Sequence, residues 1–324
     1  MLNHTSTAEF LLLTFSEIRE LQITHFFMFL VVYLVAMSGN LSIIFAVVLD
    51  YHLHTPMYFF LMNLAMLDLG SISVTVPKSM ANSLLSNRSI SYSGCVAQVF
   101  FYVFFAGSDL ALLTVMAYDR YVAICNPLQY ERIMHKRACV QMAISAWVSG
   151  ILYATLHTLG TFSLSFCSNY INQFFCEIPQ LLKLSCSDLY LVEVGFLVLG
   201  CCIGLICFIF ILESYREILM TVLRIPSKHV SKKAFSTCLP HLIVVSIFIF
   251  SLILAYERPP TKISSNLDIV FAVIYIIIPP ILNPFIYSVR NKEIKIALWK
   301  LIFTKLFFFL ALFISNTCFI IVQS

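Results

Sequence analysis

The chain has 324 residues, of which 60% are hydrophobic and 11% charged, and its formal net charge is +4. An average soluble domain has about 25% charged residues, so most of the surface of this protein must face lipid. The composition therefore excludes a water-soluble fold and indicates an integral membrane protein.

Seven apolar segments follow one another along the chain, each near the ~20 residues that a helix needs to cross the hydrocarbon. They lie at about residues 26–49, 57–80, 95–120, 139–160, 194–219, 234–256 and 269–289. Strands of a transmembrane barrel would be ~10-residue segments of alternating hydrophobicity, whereas these segments are longer and apolar on every side. The sequence predicts an all-α membrane protein, a seven-transmembrane helix bundle that forms one domain over residues 1–305.

Lys and Arg residues predict the orientation of this bundle, because they accumulate in cytoplasmic loops. Of the 20 such residues, 14 lie at or beyond the ends of predicted spans 3, 5 and 7. We therefore expect an extracellular amino terminus. Glycosylation sequons fall on the predicted outer side at Asn3, which we favour, and at Asn87, which is a second candidate.

Four of the 11 cysteines lie on the same predicted outer side, where the compartment is oxidising. They are Cys95, Cys167, Cys176 and Cys186. An even number there suggests two disulfides, and their spacing alone leaves all three pairings open.

Two carboxylates, Asp68 and Asp109, stand inside predicted spans 2 and 3. An ionisable residue at this depth costs ~2.5–3.5 kcal/mol on insertion scales and usually faces the bundle interior. One interpretation is that the pair shares a cation or a proton and acts as a conformational latch, since like charges cannot both ionise unscreened. The alternative is that each carboxylate simply accepts hydrogen bonds from neighbouring Ser and Asn side chains.

Two further features lie toward the predicted inner face. Asp119-Arg120-Tyr121 ends span 3, where an Arg could also be an ordinary snorkelling residue. In span 7, Pro279, Pro280 and Pro284 interrupt the helical hydrogen bonds beside Asn283, which predicts a hinge.

Six motifs occur in a fixed order along the chain. They are Gly39-Asn40, Leu53-His54-Thr55-Pro56-Met57-Tyr58-Phe59-Phe60-Leu61, Met116-Ala117-Tyr118-Asp119-Arg120-Tyr121-Val122-Ala123-Ile124-Cys125, Ser214-Tyr215, Lys233-Ala234-Phe235-Ser236-Thr237-Cys238 and Pro280-Ile281-Leu282-Asn283-Pro284-Phe285-Ile286-Tyr287-Ser288. With these motifs, residues 3–300 resemble the odorant (olfactory) receptors, a branch of the rhodopsin-like G-protein-coupled receptors.

The resemblance implies a receptor rather than an enzyme, located in the plasma membrane. It implies disulfides Cys95–Cys176 and Cys167–Cys186, a small volatile odorant as ligand, and a stimulatory heterotrimeric G protein that raises cyclic AMP. Membrane lipid and a trafficking chaperone are further expected partners, and nucleic acid is not. The residues expected to couple ligand to G protein are Asp119, Arg120, Tyr121, Tyr215, Asn283, Pro284 and Tyr287.

The family's cation-site pair is matched by Asp68 and Asp109, although a glutamate is more common at the second position. A sodium ion or a proton is therefore the expected occupant, and no other cofactor or metal is implied.

The resemblance also implies a ligand pocket between the outer halves of spans 3, 5, 6 and 7. Its predicted lining is Tyr102, Val103, Ala106, Gly107, Leu199, Ile203, Ile249, Ile253, Tyr256 and Val273. Because nearly all are apolar, we expect a small hydrophobic ligand and no evident partner for an anionic or strongly cationic one.

Three features of the sequence depart from the family pattern. Span 6 has Phe248-Ile249-Phe250 where Phe-Tyr-Gly is frequent, and Pro240 replaces the usual serine. Beyond a short amphipathic helix at about 293–304, residues 306–324 add a hydrophobic tail. The tail either lies in the inner leaflet, forms an eighth span or has no function.

Two other classes of membrane protein require features of their own. A transporter or channel needs a polar path or inverted repeats, and neither is evident. An intramembrane enzyme needs a nucleophile and base or a metal site, and the sequence places His52, His54, His157 and His241 in no such arrangement.

Overall fold

The computed structural model describes residues 9–13, 15–16, 18–85, 88–186, 190–224, 238–239, 241–247, 249–250, 266–290 and 293–300. Within these ranges, five helices are long and apolar enough to cross a membrane. They are α1 (Arg19–Leu49), α2 (Pro56–Leu85), α3 (Tyr92–Cys125), α4 (Lys136–Phe162) and α5 (Tyr190–Arg224). In lipid the backbone must satisfy its own hydrogen bonds, so these apolar segments form helices.

Three further helical pieces are described toward the carboxyl terminus. Residues 238–239, 241–247 and 249–250 are helical and are called α6 here; α7 spans Asn266–Arg290, and residues 293–300 form α8. Each predicted span is thus helical wherever the structure describes it. Several helices run beyond the predicted bounds, because α1 begins at Arg19 and α3 continues to Cys125. Predicted features at Asn3, Asn87, Pro240, Phe248 and 301–324 lie outside the described residues.

Helix α3 is the centre of the bundle and packs against α2, α4 and α5, while α7 packs against α1 and α2. Glycines allow close helix approaches at two of these contacts. A Cβ on Gly150 of α4 would lie 2.8 Å from the backbone oxygen of Phe104 in α3, and one on Gly39 of α1 would lie 2.9 Å from Cγ of Pro284 in α7. Larger residues at these two positions would force the helices apart.

A small sheet, which the sequence analysis did not anticipate, covers one end of the bundle. Its strands are β1 (Glu9–Leu12), β2 (Ser89–Ser91) and β3 (Tyr170–Ile171) in the order β2-β1-β3, with β1 antiparallel to β2 and parallel to β3. Phe10 and Leu12 point inward from β1 and are fully buried. The amino-terminal strand therefore belongs to the fold and ties two connecting loops together.

Both predicted disulfides, Cys95–Cys176 and Cys167–Cys186, are confirmed and lie at this same end. We call it the outer end and the opposite end the inner end, following the predicted orientation. The loop between α4 and α5 is held over the bundle by Gln98 of α3, whose amide donates to the Val74 oxygen at 3.0 Å and accepts from the Cys176 backbone N–H at 2.8 Å.

At the inner end, α8 is attached to the bundle by two polar contacts. The Tyr58 hydroxyl donates to Oε2 of Glu293 at 2.6 Å, and Nζ of Lys300 lies 3.4 Å from Oδ2 of Asp50. Hydrogen bonds from His52 lower the pKa of Asp50, so this carboxylate stays charged for Lys300. The amphipathic helix predicted at about 293–304 is helical over its described residues.

Candidate functional site

The inner part of the site is built around Arg120, which is buried at the end of α3 together with Asp119. The hydroxyl of Tyr130 donates to Oδ1 of Asp119 at 2.8 Å. Burial and the negative charge of Asp119 raise the pKa of the Tyr130 phenol, so the hydroxyl remains protonated and able to donate. Sequence reasoning missed Tyr130 because only the fold brings this loop residue back to Asp119.

A buried hydrogen bond joins α5 to α6 beside Arg120. The hydroxyl of Tyr215 and Nδ1 of His241 are 2.6 Å apart, and His241 is fully buried. Arg120 interacts electrostatically with His241 and with the Cys238 thiol. Arg120 of α3 therefore interacts with α6, and His241 of α6 is in turn bonded to Tyr215 of α5. The sequence predicted Tyr215 as a coupling residue but assigned no role to His241.

The other predicted coupling residues lie elsewhere on α3 and on α7. Tyr121 is half-buried and stacks on Tyr118 with ring centroids 6.5 Å apart. Asn283 and Pro284 are buried in α7, where Asn283 binds Asp68. The side chain of Tyr287 lies outside the part of the chain that the structure describes.

The middle part of the site contains the two predicted carboxylates. Nδ2 of Asn283 donates to Oδ2 of Asp68 at 2.9 Å, and Asp109 is close enough to Asp68 for their charges to interact. Oδ1 of Asp68, Oδ1 of Asp109 and Oδ1 of Asn283 are buried and have no hydrogen-bond partner among the described residues. Two like charges and three unpaired acceptor oxygens favour a proton or a bound cation at this point.

The chemistry of this donor set decides between kinds of cation. Oxygen ligands suit hard cations, whereas transition metals favour nitrogen and sulfur. Across the described residues, no cluster of three His, Cys, Asp or Glu side chains is placed to hold a metal. The residues present therefore fit a hard cation such as sodium, or a shared proton.

A second polar contact crosses the middle of the bundle. Nδ2 of Asn40 in α1 donates to the backbone oxygen of Pro280 in α7 at 2.8 Å. Because Pro284 has no backbone N–H, the Pro280 oxygen lacks its usual partner within the helix. The Asn40 side chain thus replaces the missing donor at the predicted hinge.

The outer part of the site is aromatic. Tyr102 lies 5.7 Å from Phe175 and 6.2 Å from Tyr275, measured between ring centroids, and Phe175 lies 6.3 Å from Tyr275. The Tyr275 hydroxyl donates to Oε1 of Glu177 at 2.5 Å, and Glu177 is only 8% exposed. A carboxylate that the sequence analysis did not consider therefore lies beside Tyr275, whose ring contacts the predicted ligand residue Tyr102.

The predicted ligand residues do not all face one space. Tyr102 and Val273 pack against the same buried cluster, and Ala106 is half-buried. Val103 is buried in another cluster with Val99 and Ala154, and a Cβ on Gly107 would lie 3.4 Å from the Tyr153 ring of α4. On the remaining helices, Leu199 and Ile203 of α5 are 51% and 47% exposed, Ile249 packs against the main core, and Ile253 and Tyr256 lie outside the described residues.

Comparison with known proteins gives consistent matches over most of the chain. A family model described as olfactory receptor matches residues 29–305. Human olfactory receptor 14I1 is 52% identical over 94% of this chain and 98% of its own length, and human olfactory receptor 14A16 is 50% identical over 94% and 99%. The crystal structure of squid rhodopsin aligns with a TM-score of 0.71 at 18% identity, over 88% of this chain and 87% of that one. The structural likeness confirms the predicted seven-transmembrane helix bundle.

Proposed function

The chain belongs to the olfactory receptor family, and from that premise we propose that it binds a small hydrophobic odorant and activates a stimulatory heterotrimeric G protein, raising cyclic AMP. The odorant binds in the outer half of the bundle, and the G protein binds at the inner end. The family consists of receptors and not of enzymes.

The observation that carries this proposal is the junction at Arg120. The buried Arg120 of α3 interacts with His241 of α6, and His241 is hydrogen-bonded to Tyr215 of α5. A few polar contacts between packed helices form an element with two discrete arrangements. We propose that the described arrangement is the closed one and that α6 moves away when the receptor is active.

Opening of the inner end would exchange the partners of these side chains. When α6 leaves, His241 releases the Tyr215 hydroxyl, which is then available to Arg120, and the predicted coupling residue Tyr287 approaches from α7. The space vacated by α6 admits the G protein. The odorant acts by binding the open state more tightly than the closed one.

The outer and inner ends communicate through α3, which carries residues of all three parts of the site, and through α7, which carries residues of the outer and middle parts. Tyr102, Asp109 and Arg120 stand on α3, while Tyr275 and Asn283 stand on α7. We propose that a sodium ion or a proton at Asp68 and Asp109 stabilises the closed state. The ion would supply positive charge to the unpaired oxygens, and Asn283 would hold Asp68 in position.

The basic residues of the inner end and the exposed apolar faces of the helices bear on the location and partners of the receptor. The excess of Lys and Arg at the inner end supports a plasma-membrane receptor with an extracellular amino terminus. We also propose that a trafficking chaperone assists its passage to the surface. Membrane lipid surrounds the exposed apolar faces, such as Leu152 and Leu159 of α4, which are 65% and 68% exposed.

A cyclic AMP reporter assay in cells that contain the stimulatory G protein tests this function. The cells express the receptor at a measured surface level and are exposed to a broad odorant panel. We expect at least one odorant to raise cyclic AMP in a concentration-dependent way, while cells lacking the receptor do not respond. An odorant response that proceeds without cyclic AMP, through another class of G protein, would contradict the proposed coupling.

A further inference from the structure

The outer loop between α4 and α5 enters the bundle instead of lying on top of it. Residues 173–178 of this loop are all buried, and Phe175 within them is fully buried. A loop usually runs over the protein surface, because its backbone polar groups otherwise lack partners. Burial of this segment therefore requires contacts that hold it from more than one side.

One disulfide and two hydrogen bonds hold the segment in place. Cys176 is disulfide-bonded to Cys95 of α3, and its backbone N–H donates to Oε1 of Gln98 at 2.8 Å. On the other side, Glu177 accepts a hydrogen bond from the hydroxyl of Tyr275 in α7, at 2.5 Å. Two consecutive loop residues are therefore tied to two different helices.

The residue just before them, Phe175, contacts the same two helices with its ring. Its centroid lies 5.7 Å from that of Tyr102 in α3 and 6.3 Å from that of Tyr275 in α7. Tyr102 and Val273 are predicted ligand residues, and both pack against the buried cluster that contains Phe175. A side chain of the receptor itself therefore lies beside residues that the sequence predicted for the odorant.

We propose that Phe175 is a built-in ligand of the receptor, which occupies part of the odorant site and stabilises the closed state. This inference rests on the proposed function, in that it names what fills the proposed site when no odorant is bound. Aromatic pairs stabilise an arrangement beyond the area they bury, so the ring favours the closed arrangement of α3 and α7. A ligand shifts a two-state equilibrium by its differential affinity for the two states, and displacement of Phe175 supplies that difference.

Phe166 of the same loop gives a matched comparison. Its ring centroid lies 5.5 Å from Phe10 of β1 and 6.2 Å from Phe162 of α4. Phe166 therefore packs the loop against the outer sheet and α4. Removing either ring loosens the loop, but Phe175→Ala also removes aromatic contacts with α3 and α7.

Two free thiols toward the inner end report on the state of the receptor without a G protein. Cys238 of α6 is 5% exposed and interacts electrostatically with Arg120, so we expect it to react with a maleimide when α6 moves away. Cys139 of α4 is 4% exposed, and we expect it to react when the protein unfolds. The ratio of the two labelling rates separates opening of the inner end from loss of the fold.

The test labels purified full-length receptor in lipid nanodiscs, without odorant, and quantifies each cysteine by mass spectrometry. We expect Phe175→Ala to speed labelling of Cys238 by roughly 2- to 10-fold, the range that corresponds to loss of an aromatic pair, with the Cys139 rate unchanged. Phe166→Ala should label as the native protein does. Tyr102→Leu removes the partner ring on α3 without altering the loop, and should also speed labelling of Cys238.

Three results would overturn the inference: native Cys238 labelling in Phe175→Ala, an equal acceleration in Phe166→Ala, or a parallel rise of Cys139 in both Phe175→Ala and Tyr102→Leu. If Phe175→Ala alone unfolds, the Cys238 rate of Tyr102→Leu decides. Because labelling uses neither an odorant nor a G protein, failure of the proposed function is distinguishable. Faster Cys238 labelling in Phe175→Ala with native basal cyclic AMP would contradict the coupling and leave the inference intact.

Discussion

The side-chain amide of Asn40 donates to the backbone oxygen of Pro280 at 2.8 Å, which is the oxygen that Pro284 leaves without a helical partner. The same α1–α7 contact includes Gly39, where a Cβ would lie 2.9 Å from Cγ of Pro284. The Gly39-Asn40 pair therefore has a physical role in this chain. Gly39 allows α7 to approach α1 closely, and Asn40 donates the hydrogen bond that the Pro280 oxygen cannot receive within α7.

Replacing Asn40 with Leu should destabilise the receptor, because the buried Pro280 oxygen then loses its donor. An unsatisfied buried acceptor costs about 1–3 kcal/mol, which a thermal unfolding measurement on the purified protein detects. Ser38→Ala, which removes an exposed hydroxyl bonded within the same helix, is the control. Equal unfolding temperatures for the Asn40 and Ser38 variants would show that the Pro280 contact contributes nothing.

If sodium rather than a proton occupies the site at Asp68 and Asp109, sodium should stabilise the native receptor. At a sodium concentration ten times its Kd, the expected gain is about 1.4 kcal/mol, measured as the difference in unfolding temperature between sodium chloride and choline chloride. Asp109→Asn should remove this difference, because the variant no longer brings two like charges together. Asp50→Asn, in the inner loop, should retain it. A sodium effect that survives in Asp109→Asn would contradict the proposed ion site.

Replacing His241 with Phe should raise basal cyclic AMP, because it removes the hydrogen bond that holds Tyr215 to α6. A net contribution of about 0.5–1.5 kcal/mol from that bond corresponds to a roughly 2- to 10-fold shift toward the open state. The assay compares this variant with His54→Phe, an exposed histidine at the same end, at equal surface expression. Unchanged basal signalling would mean that the Tyr215–His241 bond does not stabilise the closed state.

The amino-terminal strand should be required for stable folding. Phe10 is fully buried, with ring centroids 6.0 Å from Tyr92 and 5.5 Å from Phe166, whereas Leu11 beside it is 38% exposed. Phe10→Ala should therefore cost about 3 kcal/mol of stability and lower the surface signal of a tagged receptor. Leu11→Ala serves as its neighbour control. If both variants reached the surface equally, β1 would not be part of the cooperative fold.

Much of the bundle could be predicted because lipid imposes a simple rule on sequence: long uncharged segments must be helices. The same rule singled out Asp68 and Asp109, since buried charges in spans are costly. The pairing of the outer cysteines needed the family resemblance, because spacing permits three pairings. Helix ends were less predictable, as α1 continues to Arg19 in polar sequence that no lipid constrains.

The missed contacts share one physical property: the chain has to fold back on itself to bring the two partners together. Tyr130 reaches Asp119 from a loop, Glu177 reaches Tyr275 across 98 positions, and β1 pairs with two strands far along the chain. Four-residue strands such as Glu9–Leu12 carry too little alternation to be recognised alone. A single sequence records which residues are apolar or charged, but it does not record which of them meet.

Arg120→Ala tests the central claim most directly, because that side chain links α3 to α6 at the end where the G protein is proposed to bind. The measurement is the cyclic AMP response to the most effective odorant of the panel, at surface expression matched to the native receptor. Arg137→Ala, which alters an exposed arginine at the start of α4, is the control and should respond normally. Loss of the response in Arg120→Ala alone is the predicted result, and a response of native size in that variant would contradict the account.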